Sequence, residues 1–279
     1  MNTRRAEARP SASSADQALG RLLKEWRSRR GLSQLDLALA AHTTQRHVSF
    51  IESGRTMPSR EMVLRLAATL GLPLRQQNTL LLAAGYAPAW REHGLSAPGM
   101  EVVDRALDYM LAQHEPFPAF VVDRRWNLLR ANHGATKFVE FLTGPAAVVP
   151  DAEPVNLAVA LMSPQGLRPL IVNWGEVAAH FLRGVQNDAQ IDGTPETMAL
   201  FSRLSALAEE PLLSEALPPD ESTSPVLAIH FRRGDTSLRL FTTIATLGTP
   251  RDITTDEIRI EFFFPIDDAA EAICRQWAQ

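Results

Sequence analysis

Residues 31–55 constrain this chain more than any other stretch. They run Gly31-Leu32-Ser33-Gln34-Leu35-Asp36-Leu37-Ala38 and continue through Ala41-His42-Thr43-Thr44-Gln45-Arg46-His47-Val48-Ser49-Phe50-Ile51-Glu52-Ser53-Gly54-Arg55. Ser33 and Thr44 each stand just before an apolar-periodic run. There a side-chain oxygen can accept from an orphan N–H of a helix's first turn. Leu35, Leu37, Ala38 and Ala41 follow the first cap, and Val48 and Ile51 follow the second. Gly54 can end the second helix in the left-handed conformation. The pattern predicts two short helices joined by a tight turn, with small Ala38 letting them approach closely.

The flanks are helical too. Leu19, Leu22, Leu23 and Trp26 recur at helical spacing ahead of Gly31. Ser59 caps a run that buries Met62, Val63, Leu66, Ala67 and Leu70, stopped by Gly71 and Pro73. A further helix is expected over 80–84, before Gly85. Residues 16–92 therefore read as an all-α domain. The Arg-, Ala- and Ser-rich residues 1–15 read as a disordered tail. Gly94, Pro98 and Gly99 mark a linker over 93–104.

Charge separates the two halves of the chain. The 279 residues carry a formal charge of −4, but residues 1–92 hold 14 Arg and Lys against 7 Asp and Glu. The remainder holds 14 basic and 25 acidic residues. A basic first third on an acidic remainder implies two domains with different partners. The single cysteine, Cys274, excludes an internal disulfide framework and any Cys-rich metal site. Without a long apolar run or a secretory h-region, the expectation is a cytoplasmic protein with no membrane partner.

The geometry of residues 31–55 points to double-stranded DNA. With Val48 and Ile51 turned inward, Gln45, Arg46 and Ser49 face outward. In the major groove, Arg46 can donate two hydrogen bonds to guanine, and Gln45 can pair both ways with adenine. Gln34 and Thr44 sit at helix starts, where phosphate binds well. Arg55 and Arg60 would add phosphate contacts that set register.

Residues 105–279 mix helices and strands. Short apolar runs at Ala119–Val122 and 126–130 flank Asp123-Arg124-Arg125, as in a hairpin. Asn132 can cap a following helix that carries Phe138. A loop is expected over 143–155. Helices are expected near 102–113, 156–162, 174–187, 196–209 and 267–277. Later strands are expected over 226–232, 237–247 and 258–264. This order fits an α+β sandwich with helices over one face of the sheet.

Residues 18–72 resemble the Xre/λ-repressor-type helix-turn-helix family. Its pattern is Ser-Gln-x-x-Leu-Ala, then Ser-x-x-x-Ile-Ser-x-x-Glu-x-Gly. The chain departs at the turn, where His42-Thr43 replaces the family's usual Gly-Val. Further motifs resemble the MmyB-like branch. They include Pro58-Ser59-Arg60, Ala83-Ala84-Gly85-Tyr86-Ala87-Pro88, His114-Glu115-Pro116-Phe117-Pro118-Ala119 and Asp123-Arg124-x-Trp126. Ala131-Asn132, Gly166-Leu167-Arg168-Pro169, Gly248-Thr249-Pro250-Arg251-Asp252 and Phe262-Phe263-Phe264-Pro265 extend the match.

The resemblance implies a transcription regulator, not an enzyme, with a PAS-like C-terminal ligand-binding domain built on a mainly antiparallel sheet. In such a fold the expected cavity lining is Trp126, Phe138, Phe141, Leu142, Leu161, Trp174, Phe181, Phe231 and Phe241. It would suit an apolar ligand such as a fatty acid, its carboxylate received by His180 and Arg183 on one helix. No cofactor is expected, and His180 or His230 would be the residues for a haem if one were bound. A homodimer on DNA is expected. The rival reading is a helix-turn-helix protein that acts through a protein partner and has no ligand pocket. Neither a HExxH pair, nor a Gly-x-Ser-x-Gly elbow, nor a glycine-rich nucleotide loop is present.

Overall fold

The computed structural model describes residues 14–144, 155–208 and 225–277, and the chain divides into two units, Met1–Arg91 and Glu92–Gln279. Residues 1–13 of the expected tail, and most of the loop expected over 143–155, lie outside the described residues.

The first unit is built from α1 (Ser14–Arg29), α2 (Gln34–Ala40), α3 (Gln45–Glu52), α4 (Arg60–Thr69) and α5 (Leu74–Ala83). Side-chain caps set the helix starts. Ser33 Oγ accepts from Asp36 N at 3.1 Å while the Asp36 carboxylate accepts from Ser33 N at 2.9 Å, a reciprocal capping box. Thr44 Oγ1 accepts from His47 N at 3.1 Å, and Ser59 Oγ from Met62 N at 3.3 Å. Each such cap contributes about 1 kcal/mol. The turn between α2 and α3 holds His42 at φ 52°, the left-handed region that glycine favours. Thr43 steadies it, its N–H reaching Ala38 O at 2.9 Å and its hydroxyl His47 Nδ1 at 2.9 Å.

α5 begins well before the expected helix over 80–84. Its first turns carry Gln76, Gln77 and Asn78, which are polar yet buried, so the apolar period is silent there. Their amides are used internally. Gln77 donates to Leu72 O at 2.9 Å, and Asn78 accepts from Ala89 N and Trp90 N at 2.9 and 3.1 Å.

In the second unit, a five-stranded sheet runs in the order β2-β1-β5-β4-β3, every pairing antiparallel. The strands are β1 (Ala119–Val122), β2 (Leu128–Ala131), β3 (Ile229–Arg233), β4 (Thr236–Ala245) and β5 (Arg259–Pro265). The helices are α6 (Glu101–Gln113), α7 (His133–Thr143), α8 (Leu157–Met162), α9 (Trp174–Asp192), α10 (Pro195–Ala208), α11 (Ile253–Glu257) and α12 (Asp268–Gln276).

Strand periodicity divides the sheet into two faces. On one, Ala119, Val121, Ile258 and Ile260 pack against Leu107 and Leu111 of α6. On the other, Phe120, Phe231, Leu240 and Phe263 pack with Phe138, Val177 and Cys274. Helices thus cover both faces, not the single face expected. The reason lies in β1, which is buried at every position and needs a cover on each side. Buried Asn132 joins β1 to α7. Its Oδ1 accepts from Ala119 N and Ala135 N at 2.9 and 2.8 Å, and its Nδ2 donates to Phe117 O at 2.8 Å.

Within the segment expected as a linker, His93 is tied to the second unit. Its ring Nδ1 lies 2.7 Å from Asp252 Oδ2, and its carbonyl accepts from Thr254 Oγ1 at 2.6 Å.

α1 crosses the end of α3 at Gly20, where a Cβ would stand 2.6 Å from Glu52 O and 2.8 Å from Ile51 O. Both are backbone atoms and cannot swing aside. Gly20→Ala is expected to lose about 1–3 kcal/mol. Gly184→Ala, inside α9 with nothing within 4 Å of the added carbon, should gain about 0.5–1 kcal/mol. Hydrogen exchange of α1–α3 and α9 amides reads the two effects separately. Equal protection of α1 in wild type and Gly20→Ala would refute the close packing.

Candidate nucleic-acid interface and apolar cavity

α3 presents its polar residues to solvent because Val48 and Ile51 hold its other side in the core. Gln45 and Arg46 are exposed and Ser49 is half-buried beside them. Phe50, one turn on from Arg46, lies under two guanidinium groups: Arg46 Cζ is 5.1 Å from its ring centroid and Arg55 Cζ 5.7 Å. A guanidinium over a ring loses little freedom when it then binds a base or phosphate. Sequence reasoning passed over Phe50. Its signal is the spacing Arg46, Phe50, Arg55, which puts an aromatic between two cations on a helix end.

Glu52 locks this arrangement from beneath. Arg27 donates to both its oxygens, Nε at 2.6 Å and Nη2 at 3.0 Å, and Gln34 Nε2 donates to Oε2 at 2.8 Å. Arg27 also donates to Leu32 O at 2.7 Å. The Glu52 side chain is 3% exposed, so these are charge-assisted bonds shielded from water. The Gln34 amide thereby ties α2 to α3, and its second N–H remains to donate at the helix start. Thr44 spends its oxygen on His47 N, leaving its O–H to donate. Arg55 is exposed and Arg60 half-buried at the start of α4.

The second unit holds a cavity of about 540 Å³ between the sheet and α7, α8 and α9. That size falls within the ordinary range for small-molecule sites. Trp126, Phe138, Leu161, His180, Phe181 and Phe231 stand on its wall. Trp126 has φ 66°, a left-handed conformation unusual for a bulky residue. Asp123 holds it there by accepting from Arg125 N and Asn127 N at 2.8 and 2.9 Å. The ring then meets Phe181 edge-on at 4.9 Å. Such strain, held in place by a turn, fits a site that needs one ring in one position.

Four expected lining residues, and Arg183, are not on this wall. Phe241 lies on the opposite face of the sheet, stacked on Phe264 at 5.4 Å, because β4 alternates and Leu240 and Thr242 take the cavity side. Phe141 packs toward Trp277 at 6.1 Å, and Leu142 is buried in the core with Phe138. Trp174 lies beneath the Arg168 guanidinium at 5.1 Å. The helical period carries Arg183 off the face that presents Val177, His180 and Phe181, so it receives no carboxylate in this cavity. His230 is off the wall as well, with Arg239 Nε 3.4 Å from its Nε2.

Among the wall residues missed from sequence are Val139, Leu157 and Val177 on helices and Phe120, Phe263, Thr242 and Glu261 in the sheet. Glu261 sits in β5, the central strand, opposite Phe120 of β1 and Ile244 of β4. Burial pushes its carboxyl up to about 7, against a hydrogen bond from Thr242 that favours the charged form. The sequence signal was an acid within the strand-like run 258–264. His180 and Glu261 are the two ionisable side chains on the described wall. Burial also pushes the Cys274 thiol up to about 12, so it is no nucleophile. Among the described residues, no group of three His, Cys, Asp or Glu could hold a metal, and no helix is long and apolar enough to cross a membrane.

Residues 103–276 match the family described as the MmyB-like transcription regulator ligand binding domain, and residues 23–77 match the family described as helix-turn-helix. Two solved structures of the clp gene regulator ClgR from Corynebacterium glutamicum are similar to part of the chain. One is 27% identical, covering 28% of this chain and 96% of its own, with a TM-score of 0.24. The other is 21% identical, covering 38% and 99%, also with a TM-score of 0.24. No curated protein matches.

Between its ordinary value of 4.5 and about 7, Glu261 holds a proton in the folded chain that the unfolded chain has released. Its contribution to stability is therefore highest below pH 4.5 and falls as pH rises toward 7. Melting curves across this range should show the wild type losing ground to Glu261→Gln as pH rises. A constant difference between the two would place the carboxyl in water.

Proposed function

Because the chain belongs to the MmyB-like transcription regulator ligand-binding family and carries a helix-turn-helix, we propose that it reads a specific operator and senses an apolar small molecule. It is a DNA-binding transcription regulator. The observation that carries the finer reading is the cavity of about 540 Å³, walled mostly by aromatic and aliphatic side chains, in the same chain as an exposed, capped α3. Apolar walls with few polar groups accept an apolar body and leave orientation to those few. A fatty acid fits such a wall by its chain, and His180 is the basic group its carboxylate would meet there.

Gln45, Arg46 and Ser49 read base edges, while Gln34, Thr44, Arg55 and Arg60 hold phosphates. The protein acts in the cytoplasm as a homodimer whose paired α3 helices enter successive major grooves about 34 Å apart. Ligand acts only through unequal affinity for the DNA-competent and DNA-incompetent arrangements. A second reading has its own observation. Leu35 and Leu39, 48% and 65% exposed one turn apart on α2, suit a protein partner. In that case the cavity serves no signal.

Two measurements test this. Native mass spectrometry of freshly purified protein should show a discrete apolar adduct, and its absence together with a co-purifying protein at fixed stoichiometry would favour the second reading. Selection of bound sequences from a random pool should yield a palindromic site. On it, Arg46→Ala is expected to cost about 1–3 kcal/mol and relax one position. A loss equal on all sequences would move Arg46 to the phosphates.

A further inference from the structure

Glu261 lies at the middle of the central strand and on the cavity wall. Its neighbours across the sheet are apolar, Phe120 on β1 and Ile244 on β4. Next to it on the same face stands Phe263, 7% exposed. Among the described residues no ion pair reaches it, and the Thr242 hydroxyl on β4 is the polar group beside it. His180 of α9 is the other ionisable group facing the cavity. Arg259, the nearest cation along β5, pairs instead with Asp188.

Glu261 is half-buried, and a carboxylate held among apolar side chains is costly without a partner. A packed strand would fill this place with Val or Ile at no such cost. The wall therefore has a large apolar area and one carboxyl on it, and among the described residues no Arg or Lys stands on that wall. A carboxylate ligand would bring a second negative charge to this acceptor. A protonated amine would bring the missing partner.

We propose that the cavity selects apolar ligands ending in an amine, with the ammonium group bound to the Glu261 carboxylate and the Thr242 hydroxyl beside it. This rests on the reading of the cavity as a ligand site and sets the chemistry of the ligand's head. It displaces the fatty acid as the preferred occupant. Binding also moves a proton. With its carboxyl at about 7, Glu261 is partly protonated at neutral pH, and an arriving ammonium drives that proton to solvent. A carboxylic acid would instead draw a proton in.

The test uses the full chain with three probes of one chain length: decylamine, decanol and decanoic acid, each below its micelle-forming concentration. Calorimetric titration near pH 7, in two buffers of different ionisation enthalpy, gives affinity and proton count together. The amine is expected to bind at least about tenfold tighter than the acid, with proton release. In Glu261→Gln that preference should vanish while decanol binds as before. The order of the three probes in the wild-type chain decides the matter even if the variant does not fold. If decanol binds and the acid equals or exceeds the amine, the cavity is a ligand site and the inference about its head group is wrong. An amine preference that survives in Glu261→Gln overturns the role of that residue. If none of the three binds, the cavity is not a site for chain-like apolar molecules, and both readings fall.

Discussion

The second unit depends on β5 lying at the centre of its sheet. A strand buried on both sides must satisfy two covers at once, and the period of two assigns its residues strictly. Ile260 faces α6, while Glu261 and Phe263 face the cavity. The α6 side closes into ordinary core, with Leu107 and Ile260 without exposed surface. On the other side the helices stand off the sheet and leave about 540 Å³. A shift of one residue in β5 would put Glu261 against α6 and close the site with phenylalanine. The register of the central strand is thus both the fold's organising constraint and the determinant of the cavity's chemistry.

The first unit solves a different problem. Its helices are short, α2 having 7 residues and α3 having 8, and helices of that length are not stable alone. Caps supply the ends, and buried Leu37, Val48, Ile51 and Leu66 supply the core. Glu52 adds what apolar packing cannot, a fixed angle between helices. A carboxylate held by Arg27 from α1 and Gln34 from α2 joins three helices through directional bonds. Loss of one partner would leave a shielded charge, which is far more damaging than loss of a surface pair. The exposed Gln45 and Arg46 can present a defined geometry because the underside of α3 is held this way.

Much of the fold could be read from the sequence because its signals were local. Ser33, Thr44, Ser59 and Asn132 cap where they stand, and β1 covers the residues expected of it. Features that depend on distant partners were hidden. The first turns of α5 are buried but polar, satisfied by Leu72, Ala89 and Trp90. Phe241 is aromatic and in a strand, and only the sheet's pairing shows which face it takes. Gln34 stands at a helix start, but its bond to Glu52, eighteen residues away, has no local signal. The cavity wall was partly legible in its helices, through Phe138, His180 and Phe181. It was less legible in its sheet, where Phe231 stands as expected but Phe241 does not, because strand parity cannot be assigned before the sheet's order is known. Glu261 is the sharpest case: an acid in an apolar strand reads as a solvent-facing position until the neighbouring strands are in place.

An apolar wall that carries one half-buried carboxyl offers a ligand two separate gains. Apolar contact with the wall is one, and a counter-charge for the carboxylate is the other. Any ligand that fills the space and supplies the charge recovers both terms together. The free energy released is then largest for a molecule that satisfies wall and head group at once, and small for one that satisfies either alone. That inequality is what a sensor requires. Occupancy by a common apolar metabolite gives little bias between states, whereas the matched molecule gives much. Trp126 fits the same logic. Its left-handed backbone is held by Asp123 whether or not the cavity is full, so the wall is formed beforehand and little binding energy goes into shaping it.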